Sequence, residues 1–475
     1  MKVLLLNPPA ANRKKFIREG RCTQEQGVWA TLWPPVSLAM IGAVLERDSH
    51  DVRIIDCPAR RMGLRRLRAE VRAFSPGLII WSTGTPSIDG DLGLARILKE
   101  TAPDIVTAVF GTHVTVLDRR CMQQFAHVDV IIRNEPEETA RELAAQLDRG
   151  GSLSDIAGIT FRDRSGRITA APARPFIDDL DRLPFPAWHH ITPGNYSLPM
   201  KGRPFLIVAP QRGCPFGCSF CTCQTYYGSK LRKQSVDRVV AEIAYDADRF
   251  GVRDFFFWSE TFVLDKRYVA DLCRALIRSC PDVSWTCNSR VDTVDEGLLK
   301  LMAQAGCWMI SYGIESAEQE VLDRAGKGTT PDQARKAVAW ARRSGIRTAG
   351  HFMFGLPGET AASMERTAAF SRELGLDLAQ FYCSVPFPGS RLYELAERGG
   401  WVRDDDFSRF RQDSAVMELP TVDARSVDRC RSRAYRAFYC NPSVLLRLSS
   451  LLNYRSLRAA WETVRDFLGW SAARR

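Results

Sequence analysis

Five short apolar runs in the first 150 residues, Val3–Leu6, Val52–Ile55, Leu78–Trp81, Ile105–Phe110 and Val128–Ile132, are separated by helical patterns such as VSLAMIGAVLER (36–47) and ETARELAAQL (138–147). Parallel strands need long crossovers, usually helices, so this alternation predicts a doubly wound, Rossmann-like parallel sheet. Ligands of such sheets bind beyond the carboxyl ends of the strands. The loops at those ends are NPP (7–9), STGTPS (82–87), GTH (111–113) and RNEPEE (133–138).

Residues 151–200 break the rhythm. GITFRDRSGRITAAP reads as a hairpin turning at Arg164–Ser165–Gly166, and the Pro-rich DDLDRLPFPAW reads as an extended linker. From residue 201 the rhythm resumes in longer units, with strand candidates FLIVA (205–209), DFFFW (254–258), VSWTCN (283–288), WMISYG (308–313), TAGHFMF (348–354) and AQFYCSV (379–385). Between them, Val236, Val239, Val240 and Ile243 form one apolar helical face. Six such units predict a partial (β/α)6 barrel with its chemistry on the loops after the strands. Residues 401–475 read as a C-terminal helical region, either a cap over the barrel or, through its mixed Arg, Leu and Trp, a membrane-surface element. The expected units are therefore 1–150, 151–200, 201–400 and 401–475.

The stretch GCPFGCSFCTC (213–223) directly follows the first barrel strand. Cys214, Cys218 and Cys221 have the spacing C-x3-C-x2-C, which suits one [4Fe-4S] cluster with an iron left open to a small molecule. Zinc is the alternative, but it wants a fourth ligand, and Cys223 stands awkwardly close to Cys221. The 14 cysteines are otherwise scattered, which reads as a metal site in a reducing compartment and not as a disulfide frame. No run of 18 or more apolar residues and no signal peptide is visible, so a cytoplasmic protein is expected. The net charge of +11 suits anionic cofactors or substrates; nucleic acid is the weaker reading, because the basic residues are dispersed.

The cysteine loop resembles the signature of the radical S-adenosylmethionine enzymes. EGLLKLMAQAGC (296–307), YGIES (312–316), GLPGET (355–360) and PFPGS (386–390) resemble further blocks of that family in the same order. The resemblance implies a cluster on Cys214, Cys218 and Cys221 whose open iron chelates S-adenosylmethionine, and a 5′-deoxyadenosyl radical that abstracts hydrogen from an unactivated carbon. It places Phe220 against the adenine, Glu260 near the methionyl amine, Arg290 near the methionyl carboxylate, Ser289 and Glu315 toward the ribose, and Gly355 and Glu359 on the adenine side.

Residues 1–150 resemble the cobalamin-binding domain of a large subgroup of the same family. The carrying residues are Asn7-Pro8-Pro9, WPPVSLAMIGAVLE (33–46), DVRIIDC (51–57), Gly111-Thr112-His113-Val114-Thr115 and NEPEETA (134–140), the last including Glu135. The resemblance implies bound cobalamin, with Thr83, Gly84, Thr85 and Ser87 as a polar loop under the corrin. His113 has two readings, a contact to the cobalamin tail or a plain strand end. The string nearest to the cobalt-ligating D-x-H-x-x-G, Asp48-Ser49-His50, lacks the glycine and precedes the second strand, so no protein imidazole is expected on cobalt.

Together these resemblances imply methylation of an unactivated carbon through methylcobalamin and a 5′-deoxyadenosyl radical, or alternatively cyclisation, ring contraction or oxidation without methyl transfer. The expected partners are a small molecule, such as a lipid or a secondary-metabolite intermediate, and an electron donor such as flavodoxin or ferredoxin. The transfer-RNA methylthiotransferases share the cysteine loop, but they carry three further cysteines in their N-terminal domain that bind a second cluster. Here Cys22, Cys57 and Cys121 are the only cysteines before residue 150, and their surroundings do not resemble that family.

Overall fold

A computed structural model describes residues 1–9, 16–19, 24–25, 32–198, 200–402 and 406–449. Arg21, Cys22, Trp29 and the segment 450–475 lie outside the described residues. The first sheet contains β1 (Lys2–Asn7), β2 (Asp51–Asp56), β3 (Leu78–Ser82), β4 (Val106–Phe110), β5 (Val130–Ile132), β6 (Ile159–Arg162) and β7 (Ile168–Ala170). Its order is β2-β1-β3-β4-β5-β6-β7. The first five strands are parallel, and the β6–β7 hairpin adds to the edge antiparallel. The hairpin in the stretch read as a linker therefore extends the first sheet. The parallel strands are buried on both faces, which is why they read as unbroken apolar runs.

The second sheet runs in chain order through β8 (Phe205–Val208), β9 (Asp254–Phe257), β10 (Ser284–Arg290), β11 (Cys307–Glu315), β12 (Arg347–Phe354) and β13 (Leu378–Cys383). Every neighbouring pair is parallel, giving the expected six-unit partial barrel. Phe257 stacks on Trp285 with centroids 4.7 Å apart in its wall. Helix starts are written locally: Thr330 and Gln333 form a reciprocal cap around Pro331 at the first helical position.

The first domain sits over the carboxyl ends of the barrel strands. Its turn Thr112–Val116 packs near Cys223–Tyr227 of the cysteine loop, and a Cβ on Gly389 would meet Val116 and Thr225. In the C-terminal region, helix Ala424–Tyr439 caps the barrel wall: Tyr439 bonds both backbone groups of Ala379, and Arg431 Nε donates to the Phe381 carbonyl.

Candidate active site

A short antiparallel ribbon, Gln211–Arg212 against Arg232–Lys233, closes the base of the cysteine loop. Gly213 leaves it at φ +88°, and a Cβ there would lie 2.2 Å from the Lys230 carbonyl oxygen, so glycine alone fits. The loop is then pinned along its length. Gln224 Nε2 donates to the Cys214 and Phe216 carbonyls, the Ser219 amide donates to Ala325 O at 2.8 Å, and Leu392 N donates to Ser219 O at 2.7 Å.

These bonds turn Cys214, Cys218 and Cys221 into one cavity of about 340 Å³. The Cys223 amide donates to Cys221 Sγ at 3.4 Å, and Arg290 Nη1 lies 3.9 Å from Cys218 Sγ, both of which favour a charged sulfur. Burial pushes the Cys218 thiol up, Cys221 and Glu315 add to the rise, and Lys327 and Arg290 oppose it. Cys223 is buried and does not line the cavity, and among the described residues no cysteine forms a disulfide. The donor set is therefore three thiols with an open side, which fits the cluster and not a closed zinc site.

Phe220, Glu260, Ser289, Arg290 and Glu315 line the same cavity, so the tertiary fold brings five of the expected S-adenosylmethionine residues together. Their engagement differs from the sequence expectation in places. The Arg290 fork is closed on Asp292, at 2.9 and 2.8 Å, with a third bond to Lys327 O at 2.7 Å. What Arg290 turns toward the thiols is its Nη1 edge, while its guanidinium covers the Phe216 ring at 3.6 Å. Ser289 Oγ lies 3.1 Å from Thr293 Oγ1. Glu315 sits at a bulge with φ +67° and accepts from Lys327 Nζ at 2.7 Å.

Gly355 and Glu359 do not line this cavity. Glu359 Oε2 accepts from the amides of Gly355 and Leu356, and Gly355 packs on Val427 of the C-terminal cap. Burial pushes the Glu359 carboxyl up to about 8. The pair shapes a turn that sets Leu356 in a cluster with Val321, Ala325 and Met353, against which Phe220 packs.

Alternate barrel residues point into the lumen, as the period of a strand dictates: Met309, Ser311 and Gly313 on β11, Ala349, His351 and Met353 on β12, Leu378, Gln380 and Tyr382 on β13. His351 Nδ1 lies 3.3 Å from Tyr382 Oη, and Tyr382 also bonds Gln380. The first domain closes the opposite side with Ile17, Glu19 and Trp33. Trp33 meets Phe256 and Trp258 edge to face at 5.1 and 4.8 Å. The buried Glu19 accepts from Ser37 Oγ at 2.7 Å, and burial pushes its carboxyl up to about 7.

The first sheet reverses its order between β1 and β3, the switch point where doubly wound sheets bind ligands. A crevice there is lined by Arg18, Thr83, Gly84, Thr85 and Gly111 and faces Tyr226, Tyr227 and Phe387 of the barrel half. Gly111, at φ +144°, packs so close that a Cβ would lie 2.2 Å from Thr83 O. Asp91 organises the loop: its carboxylate takes Arg18 Nε and Nη2, both at 2.7 Å, and the hydroxyls of Thr83 and Ser87 at 3.0 and 2.7 Å. Asn7 bridges Arg18 and Asp56. The crevice itself, at about 20 Å³, holds no more than a water, so its small residues and fixed polar groups at the switch point suit a contact surface for cobalamin and not an enclosing pocket.

His113 lines neither cavity. It is buried with Nδ1 3.2 Å from Thr85 Oγ1 and its ring edge on Phe407, and burial pushes it down to about 3. His50 lies at the opposite end of the sheet, 3.2 Å from the N-terminal amine. Glu135 also lies away from the crevice: it is buried against Arg212 and Arg232.

Residues 208–371 match the Radical SAM superfamily, and residues 27–144 match the B12 binding domain. An uncharacterised methyltransferase of Pyrococcus horikoshii is 31% identical over 447 residues, 94% of either chain. The chain belongs to the cobalamin-dependent radical S-adenosylmethionine enzymes. The anaerobic magnesium-protoporphyrin IX monomethyl ester cyclase of Rubrivivax gelatinosus is 31% identical over 423 residues, covering 87% of this chain and 75% of its own. The fold matches the radical S-adenosylmethionine methyltransferase TsrM of Kitasatospora setae, solved with cobalamin and [4Fe-4S] cluster bound, at TM-score 0.70 and 18% identity over 96% of this chain and 92% of that one.

Sequence reasoning missed Lys327, Asp91, Arg18, Glu19 and the His351–Tyr382 pair. Lys327 had a signal: it stands between Gly326 and Gly328, both at positive φ, just before a capped helix start. Gln380 and Tyr382 at alternate positions of β13, with His351 on β12, marked the lumen. Nothing near Arg18 or Glu19 marked them.

Proposed function

We propose that this enzyme methylates an unactivated carbon of a small molecule, with S-adenosylmethionine as both radical source and methyl donor. One observation carries the reading: the three thiols and the first-domain residues Ile17, Glu19 and Trp33 open onto the same cavity. When bound, the cluster, S-adenosylmethionine and cobalamin supply one-electron sulfonium cleavage, the abstracting radical and a methyl carrier. The residues of this chain bind and orient them. Cys214, Cys218 and Cys221 hold the cluster, Phe220 and Glu260 flank the S-adenosylmethionine site, and the Lys327–Glu315 pair walls it. Asn7, Thr83, Gly84, Thr85 and Gly111 seat the cobalamin at the switch point. Trp33, Phe256 and Trp258 exclude water from the space left for substrate.

A lipid or secondary-metabolite intermediate suits the aromatic wall, and a flavodoxin or ferredoxin suits the one-electron demand. The lack of disulfides among the described cysteines suits a reducing cytoplasm. No helix among the described residues is long and apolar enough to cross a membrane, and Leu445 and Leu446 are exposed where a peripheral contact of the C-terminal helices would begin. The similarity to the cyclase favours one second reading, the same cofactors without methyl transfer.

Anaerobic reconstitution with iron, sulfide and hydroxocobalamin, followed by product analysis with candidate substrates, separates the two. S-adenosylhomocysteine together with 5′-deoxyadenosine supports methylation. Turnover that yields 5′-deoxyadenosine alone supports the second reading, and four irons with no bound cobalamin would end both.

A further inference from the structure

Four charged side chains meet where the first domain touches the two ends of the cysteine loop. Glu135 and Glu137 stand at the amino end of helix Glu137–Asp148, directly after β5. Arg212 and Arg232 occupy the two strands of the ribbon that closes the loop. Arg212 reaches Glu135 at 3.2 Å and Glu137 at 2.6 Å, and Arg232 reaches Glu135 at 2.8 Å. Arg232 also donates to the carbonyls of Ile177 and Tyr227 at 2.6 and 2.7 Å, and the Ile177 amide donates to Glu135 at 2.8 Å. All four side chains are less than a tenth exposed.

The group is charge-balanced, and it joins three separate segments: the first domain, the chain at Ile177, and both feet of the cysteine loop. Desolvating two carboxylates and two guanidiniums costs much of what their attraction returns, so such a cluster contributes little net stability. Its consequence is directional. Arg212 divides its two Nη groups between Glu135 and Glu137, and Arg232 Nη1 meets both Glu135 oxygens, so a shift of the loop would strand a buried charge. Arg212 lies two residues before Cys214, so that geometry passes straight to the thiols.

We propose that this cluster is a docking clamp, with Glu135, Glu137, Arg212 and Arg232 as positioning residues that fix the cysteine loop against the first domain. The clamp rests on the two-cofactor reading. Cleavage of S-adenosylmethionine to 5′-deoxyadenosine depends on the loop and barrel alone. Release of S-adenosylhomocysteine also requires the sulfonium methyl to face the cobalamin on the first domain. Loosening the clamp therefore splits the two products.

The test uses the reconstituted full chain carrying Glu137→Met with Arg212→Met, which removes one charge of each sign, and separately Arg212→Lys. Iron and cobalamin content, both products under a chemical reductant, and the magnetic interaction between reduced cluster and cob(II)alamin in pulsed electron paramagnetic resonance are measured. The expected result is normal cofactor content, 5′-deoxyadenosine within about twofold of the unsubstituted enzyme, S-adenosylhomocysteine down about tenfold or more, and a weakened interaction. Arg212→Lys keeps the charge and restores part of the ratio. An unchanged product ratio with an unchanged magnetic interaction overturns the clamp. If the double variant does not fold, the single variant decides by the same ratio. An unsubstituted enzyme that binds both cofactors but releases no S-adenosylhomocysteine defeats the methylation reading instead, and the magnetic interaction still judges the clamp.

Discussion

Lys327 donates to Glu315 Oε1 at 2.7 Å, with both side chains more than nine-tenths buried at the edge of the cysteine cavity. The pair joins the end of β11 to the loop that carries the Ala325 carbonyl, which in turn holds the Ser219 amide. Lys327→Met leaves Glu315 charged and unpartnered by its lysine, a loss of about 3–5 kcal/mol. Thermal unfolding should show it. The double variant with Glu315→Gln should recover part of the stability while S-adenosylmethionine affinity stays reduced.

Cys218→Ala should abolish S-adenosylmethionine cleavage and lower the iron content, with folding little changed. The side chain is only partly buried and small, so its removal costs on the order of 1 kcal/mol. Persistent 5′-deoxyadenosine formation in this variant would sink the radical mechanism.

Gly213→Ala places a methyl group 2.2 Å from the Lys230 carbonyl oxygen at a φ of +88°. The strain alone is about 1–3 kcal/mol, and relieving the clash requires the ribbon to open. Reduced iron occupancy after reconstitution is the expected readout. Gly217→Ala is the control, because no atom lies within 4 Å of a Cβ there.

His113 gives a pH-dependent prediction. Its folded value is pushed from 6.5 down to about 3 by burial, and Arg120 adds to the fall. Between those values the unfolded chain holds the extra proton, so stability is lost as pH falls below about 6.5, by up to about 1.4 kcal/mol per unit. Above that range the group contributes no slope. Denaturant unfolding of the enzyme and of His113→Phe across pH 7 to 5 checks the sign: the stability difference between them should shift toward the variant as pH falls. A difference that is flat with pH would show that the imidazole is not buried in neutral form.

The barrel and its cysteine loop were readable because their signals are local. Strand and helix alternate in a short period, and three thiols within eight residues need no distant partner to announce a cluster. Phe220, Glu260, Ser289, Arg290 and Glu315 were placed near that loop by resemblance, and they do line its cavity. Their partners were not readable. Nothing in the sequence paired Arg290 with Asp292, or Glu135 with Arg212 and Arg232.

What the chain determined by itself is the sequence of βα units, the three-thiol spacing and the switch-point loops, because each depends on residues within one turn, strand or loop. Only the tertiary structure decided which charges neutralise one another and which remain at the cavity. Arg18 meets Asp91 across 73 residues, and Arg232 meets Glu135 across 97. Ion-pair partners are chosen by proximity in space under a desolvation penalty, and that penalty acts only once folding has buried them.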